Sequence, residues 1–499
     1  MDDFEYVVIQ AGGKGTRLKH LTKNKPKALV SIDNLPIIFH LFRKYPNKKF
    51  IIIGDYLKEV LDAYLDVFCD VPFITVGTDG KSGTCAGILN ALDCIPDGKR
   101  FMLIWSDLIL GTQVTIVPSE HNQLGISGNF ACRWSYECGN LQEVSSLKKG
   151  VAGLFVFTDK SVLSDIPLEG EFVRWLSTKH ILFDEVDLTG SVECGQIENL
   201  KKQQSGRCRP FNSMHRCGNH LYKEGIDEQG RKLAVREKAW YKHVSNYDVP
   251  IPTIYSYNPL EMEWVDGKNI FEYALTDSEK KLLLEKLVKC LQMIHNYDSS
   301  PVDRFSMYEA YFTKTMSRLS KIRDLVPFAK EPYIKINGRN CRNVFFHISE
   351  LRNKLKNLPC TSFCLIHGDC TFSNILLKNG CEPLFIDPRG YFGHSELVGD
   401  PAYDWAKLYY SIVGDYDQFN LGRFELDIKE DSVELQIATN GWKSMEPVLI
   451  NLISKYVDIK DIRLIHSIIW LSLTTYAWDD YDSICGAFYN GLYYLEASL

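Results

Sequence analysis

A chain of 499 residues is too long for one hydrophobic core, so two domains or more are expected. Apolar residues make up 45% and charged residues 24%, the balance of a globular protein and not of a disordered one. The 57 basic and 63 acidic side chains give a net charge of −6, which argues against a nucleic-acid partner. The 15 cysteines form no Cys-x-x-Cys pair and show no zinc-ligand spacing against the 12 histidines. They read as small buried hydrophobes in a reducing, cytoplasmic compartment. The opening Met1-Asp2-Asp3 is acidic and runs straight into a strand pattern, unlike a signal peptide. Leu464 to Trp478 comes nearest to a membrane span, but His466 and its polar neighbours make it a core helix, and no membrane partner is expected.

The N-terminal region alternates strand and helix patterns. Tyr6 to Ile9 is an apolar run ending in a glycine loop, and Phe50 to Ile53 is a second, ending at Gly54-Asp55. Leu57, Val60, Leu61, Tyr64, Leu65 and Phe68 then follow helical spacing. Phe73 to Val76 predicts the third strand, Ala86 to Ile95 the next helix, and Phe101 to Trp105 the fourth strand. Apolar strands joined by helices predict an α/β fold with an open, mostly parallel, Rossmann-like sheet. Such a sheet binds ligands beyond the C-terminal strand ends, where the glycine loop and Asp107 fall. Gly153 to Phe157 predicts a further strand and Glu171 to Thr178 a helix. The polar, aperiodic Lys201 to Arg207 marks a boundary between domains spanning 1–202 and 208–499. Strand-like pieces to about residue 265 and long helical patterns after it predict a two-lobed α+β domain. Its best helix opens with a capping box, Thr276 to Glu279, and continues through Leu284, Leu287, Val288, Leu291 and Ile294.

Chemistry concentrates in two places. The first is Gly12-Gly13-Lys14-Gly15-Thr16-Arg17-Leu18, followed by Lys25 and Lys27. A glycine loop after a strand brings backbone N–H groups close to phosphate oxygens and opens a helix whose dipole favours anions. Arg17 adds a planar, always-charged donor suited to a triphosphate. This combination resembles the sugar-phosphate nucleotidyltransferases, over about residues 5–200. The resemblance implies that Gly12, Gly13, Gly15, Thr16 and Arg17 hold a nucleoside triphosphate and that Lys27 contacts the acceptor's phosphate. It also implies that Gly83 and Thr84, in the stretch to Gly87, read base and ribose, and that Asp107 binds magnesium. Glu193 stands where the family usually carries a second acidic metal ligand, an aspartate. Gln10, where the family has leucine, is a further departure.

The second place is His367-Gly368-Asp369, with Asn374 five residues after the aspartate and Asp387 eighteen after it. That is kinase catalytic-loop spacing: Asp369 takes a hydroxyl proton while Asn374 and Asp387 hold Mg2+ on ATP. The region resembles the aminoglycoside phosphotransferase and choline kinase family, over roughly 208–499. The resemblance implies Lys223 as the ATP lysine, with Lys232 as the alternative, and Glu237 as the helix glutamate that orients it. It further implies Phe211-Asn212-Ser213 as a phosphate-covering turn, Met262 and Glu263 as the adenine hinge, and Asp400 as the brace of the catalytic loop. Gly368 replaces the arginine of protein kinases, and only twelve residues separate Asp387 from Asp400, too few for a peptide-docking segment. The acceptor is therefore expected to be a small alcohol.

Together the two places predict a bifunctional enzyme that phosphorylates a sugar or polyol with ATP and then joins the phosphate ester to a nucleotide. The product would be a nucleotide-activated precursor for surface-polysaccharide synthesis. CTP is the first choice of second nucleotide, with UTP the other, on analogy with fused choline-kinase-like enzymes. One alternative is a choline or ethanolamine kinase fused to its cytidylyltransferase, for which Trp470, Tyr476, Trp478, Asp479, Asp480 and Tyr481 would form an aromatic-acidic pocket. A second makes one domain a catalytically dead sensor of ligand. Assembly into a homo-oligomer is left open.

Overall fold

The apolar runs of the N-terminal region form one sheet in the computed structural model, which describes residues 4–195, 212–226 and 228–499. The chain divides into two units, residues 1–207 with 479–481 and residues 208–478 with 482–499. The stretch Lys201 to Arg207, where the sequence places the boundary, lies outside the described residues.

In the first unit, β1 (Tyr6–Gln10), α1 (Ile37–Lys44), β2 (Lys49–Ile53), α2 (Lys58–Phe68), β3 (Phe73–Val76), α3 (Thr84–Leu92) and β4 (Phe101–Trp105) follow one another. β1 lies between β2 and β4, with β3 outside β2, and all four strands are parallel. Val7, Val8 and Ile9 are buried because both faces of β1 are covered. After β3 the chain returns to the far side of β1, so the C-terminal ends of β1 and β4 flank the switch point of the sheet. The sheet then continues in mixed sense. β5 (Leu108–Ile109) follows β4, and β6 (Asn122–Ser127) pairs with β7 (Gly150–Phe157), which runs antiparallel to β4. α4 (Phe172–Leu176) leads to β8 (Phe183–Asp187), parallel to β6, and β9 (Val192–Glu193) pairs with β5. Ile51, Ile88, Leu103, Phe155 and Phe172 share one core cluster on a face of this sheet.

The second unit opens with β10 (Asn212–Cys217) and β11 (His220–Gly225), followed by α5 (Glu228–Val244), β12 (Ile254–Tyr257) and β13 (Leu260–Glu263). The four strands form an antiparallel sheet in the order β10, β11, β13, β12. α5 carries Glu237 on a helix, as the resemblance implied, within the region otherwise read as strand-like pieces. Its buried residues Glu237, Trp240, Tyr241 and Val244 do keep helical spacing, but a glutamate occupies the first position of that stripe.

The helical remainder includes α6 (Asp277–His295), α7 (Lys314–Ile322), α8 (Pro401–Ile412) and α9 (Ile459–Leu473), with β14 (Ile375–Lys378) and β15 (Glu382–Phe385) as a hairpin before α8. α6 carries the expected capping box: Thr276 N–H donates to Glu279 at 2.8 Å, and Glu279 N–H donates to the Thr276 hydroxyl at 3.4 Å. α9 is buried, and its Trp470 indole donates to His466 Nε2 at 3.0 Å, so Trp470 belongs to the core and not to a pocket. Among the described residues, no helix is long and apolar enough to cross a membrane, and the cysteines are free.

Candidate active sites

In the first unit, β1 and β4 end side by side, with Gln10 opposite Trp105, so the loop after β1 and Asp107 meet at the same end of the sheet. Gly12 packs tightly, since a Cβ there would lie 2.8 Å from Asp55 Cβ, whereas Gly13 faces open space. Gly15, at φ +61°, turns the chain into the short 3-10 stretch Thr16–Thr22. Thr16 and Arg17 are exposed there, while Leu18 is buried and anchors the turn. Lys27 opens the next turn, Lys27–Leu29, and its ammonium is ion-paired with Asp107.

Pairing of β9 with β5 puts Glu193 opposite Leu108, and Cys194 N–H donates to the Asp107 carbonyl at 2.8 Å. The Glu193 carboxyl is pushed up by burial and by the Asp107 charge, with Lys27 and Arg17 only partly opposing. Asp107 and Glu193 thus lie close together beside Lys27, the kind of paired acidic group that can hold a divalent cation. Gln10 points its Oε1 into an enclosed space without a hydrogen-bond partner, and nothing in the sequence accounts for it.

The stretch Gly83 to Gly87 is a loop only through Gly83, because Thr84 already begins α3. Gly83 adopts φ +90°, and a Cβ there would lie 2.2 Å from the Gly170 carbonyl oxygen. The Thr84 hydroxyl accepts from Phe172 N–H at 2.8 Å, which ties α3 to α4.

The second unit gathers residues from five segments. Lys223 on β11 is buried and bonds Glu237 of α5 at 3.0 Å and Asp387 at 2.6 Å. Burial opposes its charge, but Asp387 and Glu237 outweigh that and raise the ammonium pKa. Glu237 is pushed up to about 7 by burial and by Asp387, against the pull of Lys223. Here one lysine serves two carboxylates, leaving negative charge at half-exposed Asp387. Lys232, the alternative lysine, is exposed and pairs with Glu228 one helical turn away. Asn212 and Ser213 lie in β10 opposite Gly225 and Glu224, so they form no phosphate-covering turn; Phe211 lies outside the described residues. Met262 is buried on β13 opposite Leu221, and Glu263 pairs with Lys378 at 2.7 Å.

The catalytic-loop residues are fixed from beneath. His367 is buried, its Nε2 lies 3.0 Å from the Ile386 carbonyl, and its Nδ1 accepts from Asp369 N–H at 3.2 Å. That pattern assigns the proton to Nε2, and burial lowers the ring's pKa and keeps it neutral. Gly368 sits at φ +77°, where a Cβ would come within 2.9 Å of Arg389 Cβ. Asn374 donates its amide to the Asp369 carbonyl at 2.8 Å, leaving its side-chain oxygen for a ligand. Burial disfavours the Asp369 carboxylate, yet Lys407, 2.9 Å away, and Arg389 hold the group well below the usual range.

The brace of this loop is Asp404, not Asp400. Fully buried Asp404 accepts from Gly368 N–H at 2.7 Å, His367 N–H at 2.9 Å and His295 Nε2 at 3.1 Å. Asp400 instead caps α8, accepting from Ala402 N–H at 3.0 Å and from the Tyr311 hydroxyl at 2.8 Å. Sequence reasoning also passed over Lys407. The available signal was a single lysine within an apolar stretch of α8, three residues after Asp404.

Residues 6–132 match the family model described as nucleotidyl transferase, and residues 227–442 match the one described as phosphotransferase enzyme family. The chain thus joins a nucleotidyl transferase family domain to a phosphotransferase enzyme family domain. Among curated relatives, the UTP–glucose-1-phosphate uridylyltransferase AglF of Haloferax volcanii is 32% identical over 111 residues, 21% of this chain and 45% of its own. The CTP:phosphoglutamine cytidylyltransferase of Campylobacter jejuni is 22% identical over 189 residues, 36% of this chain and 75% of its own. The chain spans less than half the length of the first of these. A solved UDP-glucose pyrophosphorylase complexed with UDP-glucose is similar at 16% identity and a TM-score of 0.34, covering 40% of this chain and 97% of that one.

Proposed function

We propose that the chain phosphorylates a small alcohol with ATP and then couples the phosphate ester to a nucleoside monophosphate drawn from CTP. The observation that supports the reading is that charged groups suited to both steps come together within one chain. Lys223, Glu237, Asp387, Asn374 and Asp369 form one set, and Arg17, Lys27, Asp107 and Glu193 the other.

In the first step the acceptor oxygen attacks the γ-phosphorus of ATP. The bond to the β,γ-bridging oxygen breaks, its electron pair leaves with ADP, and the hydroxyl proton passes to the Asp369 carboxylate. Lys407 and Arg389 keep that carboxylate ionised, which makes it a weak base, suited to a loose transition state in which proton transfer is late. Lys223, steadied by Glu237, supplies positive charge to the nucleotide phosphates. In the second step a phosphate oxygen of the new ester attacks the α-phosphorus of the second nucleotide, and pyrophosphate leaves. Gly12, Gly13 and Gly15 offer backbone N–H groups to the triphosphate, Arg17 adds charge, and Lys27 screens the incoming ester.

Magnesium bound with each nucleotide would screen phosphate charge, held by Asn374 and Asp387 in one unit and by Asp107 and Glu193 in the other. Among the described residues no three acidic, histidine or cysteine side chains converge as a cage.

The choice of CTP is supported by the CTP:phosphoglutamine cytidylyltransferase of Campylobacter jejuni, 75% of whose length this chain covers. A nucleotide-activated alcohol of this kind would serve surface-polysaccharide assembly in the cytoplasm. Phosphorus NMR on the purified chain, with magnesium, ATP, one second nucleotide at a time and pooled alcohols, tests the reading. A new pyrophosphate diester with CTP is expected. A phosphomonoester with every second nucleotide and no diester would remove the nucleotidyl step.

A further inference from the structure

A cleft opens beside Asp369, lined by Arg318, Arg389, Lys407 and the aromatic side chains Tyr403, Tyr410, Tyr416 and Tyr476. Lys223, Asp387, Met262 and Glu263, the proposed ATP residues, do not line it. Three basic groups line the cleft against the single carboxylate of Asp369, and Lys407 already pairs with that carboxylate at 2.9 Å. The hydrogen bonds of the two arginines go to neutral groups, although Arg389 also shares the Asp369 charge with Lys407. Arg318 donates to the Ser472 carbonyl and lies 5.7 Å from the Tyr476 ring, while Arg389 donates to the Tyr403 hydroxyl at 2.9 Å. Lys314, which does not line the cleft, lies 5.9 Å from the Tyr403 ring, and burial and then Arg389, Arg318 and Lys407 push its pKa down, the mark of crowded positive charge here. Tyr410 is 1% exposed, and its hydroxyl has no hydrogen-bond partner.

Excess positive charge in a partly closed cleft is unfavourable unless an anion arrives to meet it, and a buried unpartnered hydroxyl is equally unfavourable. Both deficits are met by one ligand group, an oxyanion that accepts from guanidinium and phenol together. A quaternary ammonium or a protonated amine would meet repulsion from the same side chains.

We infer that the alcohol phosphorylated at Asp369 carries its own oxyanion, a carboxylate or a phosphate ester, seated between Arg318 and Arg389 with the Tyr410 hydroxyl donating to it. This rests on the kinase reading above and narrows its substrate class. The acceptor hydroxyl then reaches Asp369 from the anchored end: its oxygen bonds to the γ-phosphorus, the bond to ADP breaks, and its proton goes to Asp369.

The test is ADP release by the full chain with magnesium and ATP, run separately on hydroxycarboxylic acids, phosphate-ester alcohols, neutral polyols and sugars, and choline with ethanolamine. Turnover is expected with one of the first two sets, and which of them responds identifies the anion. Arg318→Gln is expected to raise the acceptor KM about tenfold to a hundredfold, leaving the ATP KM unchanged, because a charge-assisted pair is lost. Arg318→Lys is expected to recover part of that loss. Should Arg318→Gln fail to fold, Tyr410→Phe removes only the hydroxyl and is expected to raise the same KM several-fold. Turnover confined to neutral or cationic alcohols, or an acceptor KM indifferent to the arginine and tyrosine changes, would overturn the anion assignment and leave the kinase standing. ATP binding without ADP release for any set would overturn the kinase reading, and this inference with it.

Discussion

Asp404→Asn is expected to damage the stability and the catalysis of the second unit together. The carboxylate is fully buried and accepts from two backbone amides, Gly368 at 2.7 Å and His367 at 2.9 Å, and from His295 at 3.1 Å. Burial alone would raise its pKa, but the His295 bond and charge and the His367 amide outweigh burial and hold it below the usual range. Asparagine keeps one oxygen for one amide and turns an NH2 group toward the other. One charge-assisted bond is lost, worth about 1.5–3 kcal/mol, and a buried N–H goes unsatisfied at about 1–3 kcal/mol. A loss of about 3–5 kcal/mol follows, a fall of roughly 10 °C in the transition of this unit. Urea unfolding followed by tryptophan fluorescence reads it directly, since Trp405 adjoins the brace and packs against His295 at 5.0 Å. Asp400→Asn is the control. Burial raises that carboxyl, asparagine still caps α8, and the Tyr311 hydroxyl can rotate, so a loss under about 1.5 kcal/mol is expected. A control as damaging as Asp404→Asn, or an Asp404→Asn within 1 kcal/mol or so of the parent, would refute the assignment of the brace.

Other substitutions separate the two units and their chemistry. Lys223→Met removes the cation between Glu237 and Asp387 and is expected to lower ATP-dependent phosphorylation about 100- to 1,000-fold, with nucleotidyl transfer to a ready-made phosphate ester unchanged in a coupled pyrophosphate assay. Gly83→Ala places a Cβ 2.2 Å from the Gly170 carbonyl oxygen at φ +90°, and should cost the first unit about 2–4 kcal/mol in calorimetry. Buried Asp417, which accepts from Ser373 N–H at 2.8 Å, is pushed up to about 6 by burial. A carboxyl raised in the folded state destabilises as pH climbs from about 4 through 6, so Asp417→Asn should be more stable than the parent by up to about 3 kcal/mol at pH 7.5. The two should converge near pH 4 in denaturant titrations; an equal difference at both pH values would contradict the raised pKa.

The parallel half of the first sheet was legible because its strands are short, uninterrupted apolar runs that end at marked turns, as Tyr6–Gln10 does at the glycine loop. The capping box of α6 was legible for a similar reason, being purely local. The extent of α5 was not, since the buried stripe of its second half, Glu237, Trp240, Tyr241 and Val244, starts on a charged residue. The beginning of α3 was misplaced by two glycines, although Thr84 is already helical and its hydroxyl is engaged by α4. Spacing alone could not divide the roles of Asp400 and Asp404, since both lie at the start of one helix. Only the path of the His367–Gly368 backbone shows which carboxylate receives its amides. The cationic cleft was hidden because Arg318, Arg389, Lys407 and Tyr410 come from three distant segments, and their common feature is the space they surround.

Two single-site variants of the full chain, Asp107→Asn and Asp369→Asn, test the two-step claim most directly when each receives magnesium, ATP, CTP and the acceptor pool. Asp107→Asn should stop at a phosphomonoester. Asp369→Asn should make nothing from the pool, yet convert that isolated phosphomonoester to the cytidine diphosphate-linked product. Formation of the linked product by Asp369→Asn from the unphosphorylated pool would contradict the sequence of steps, as would its failure to use the monoester that Asp107→Asn had made.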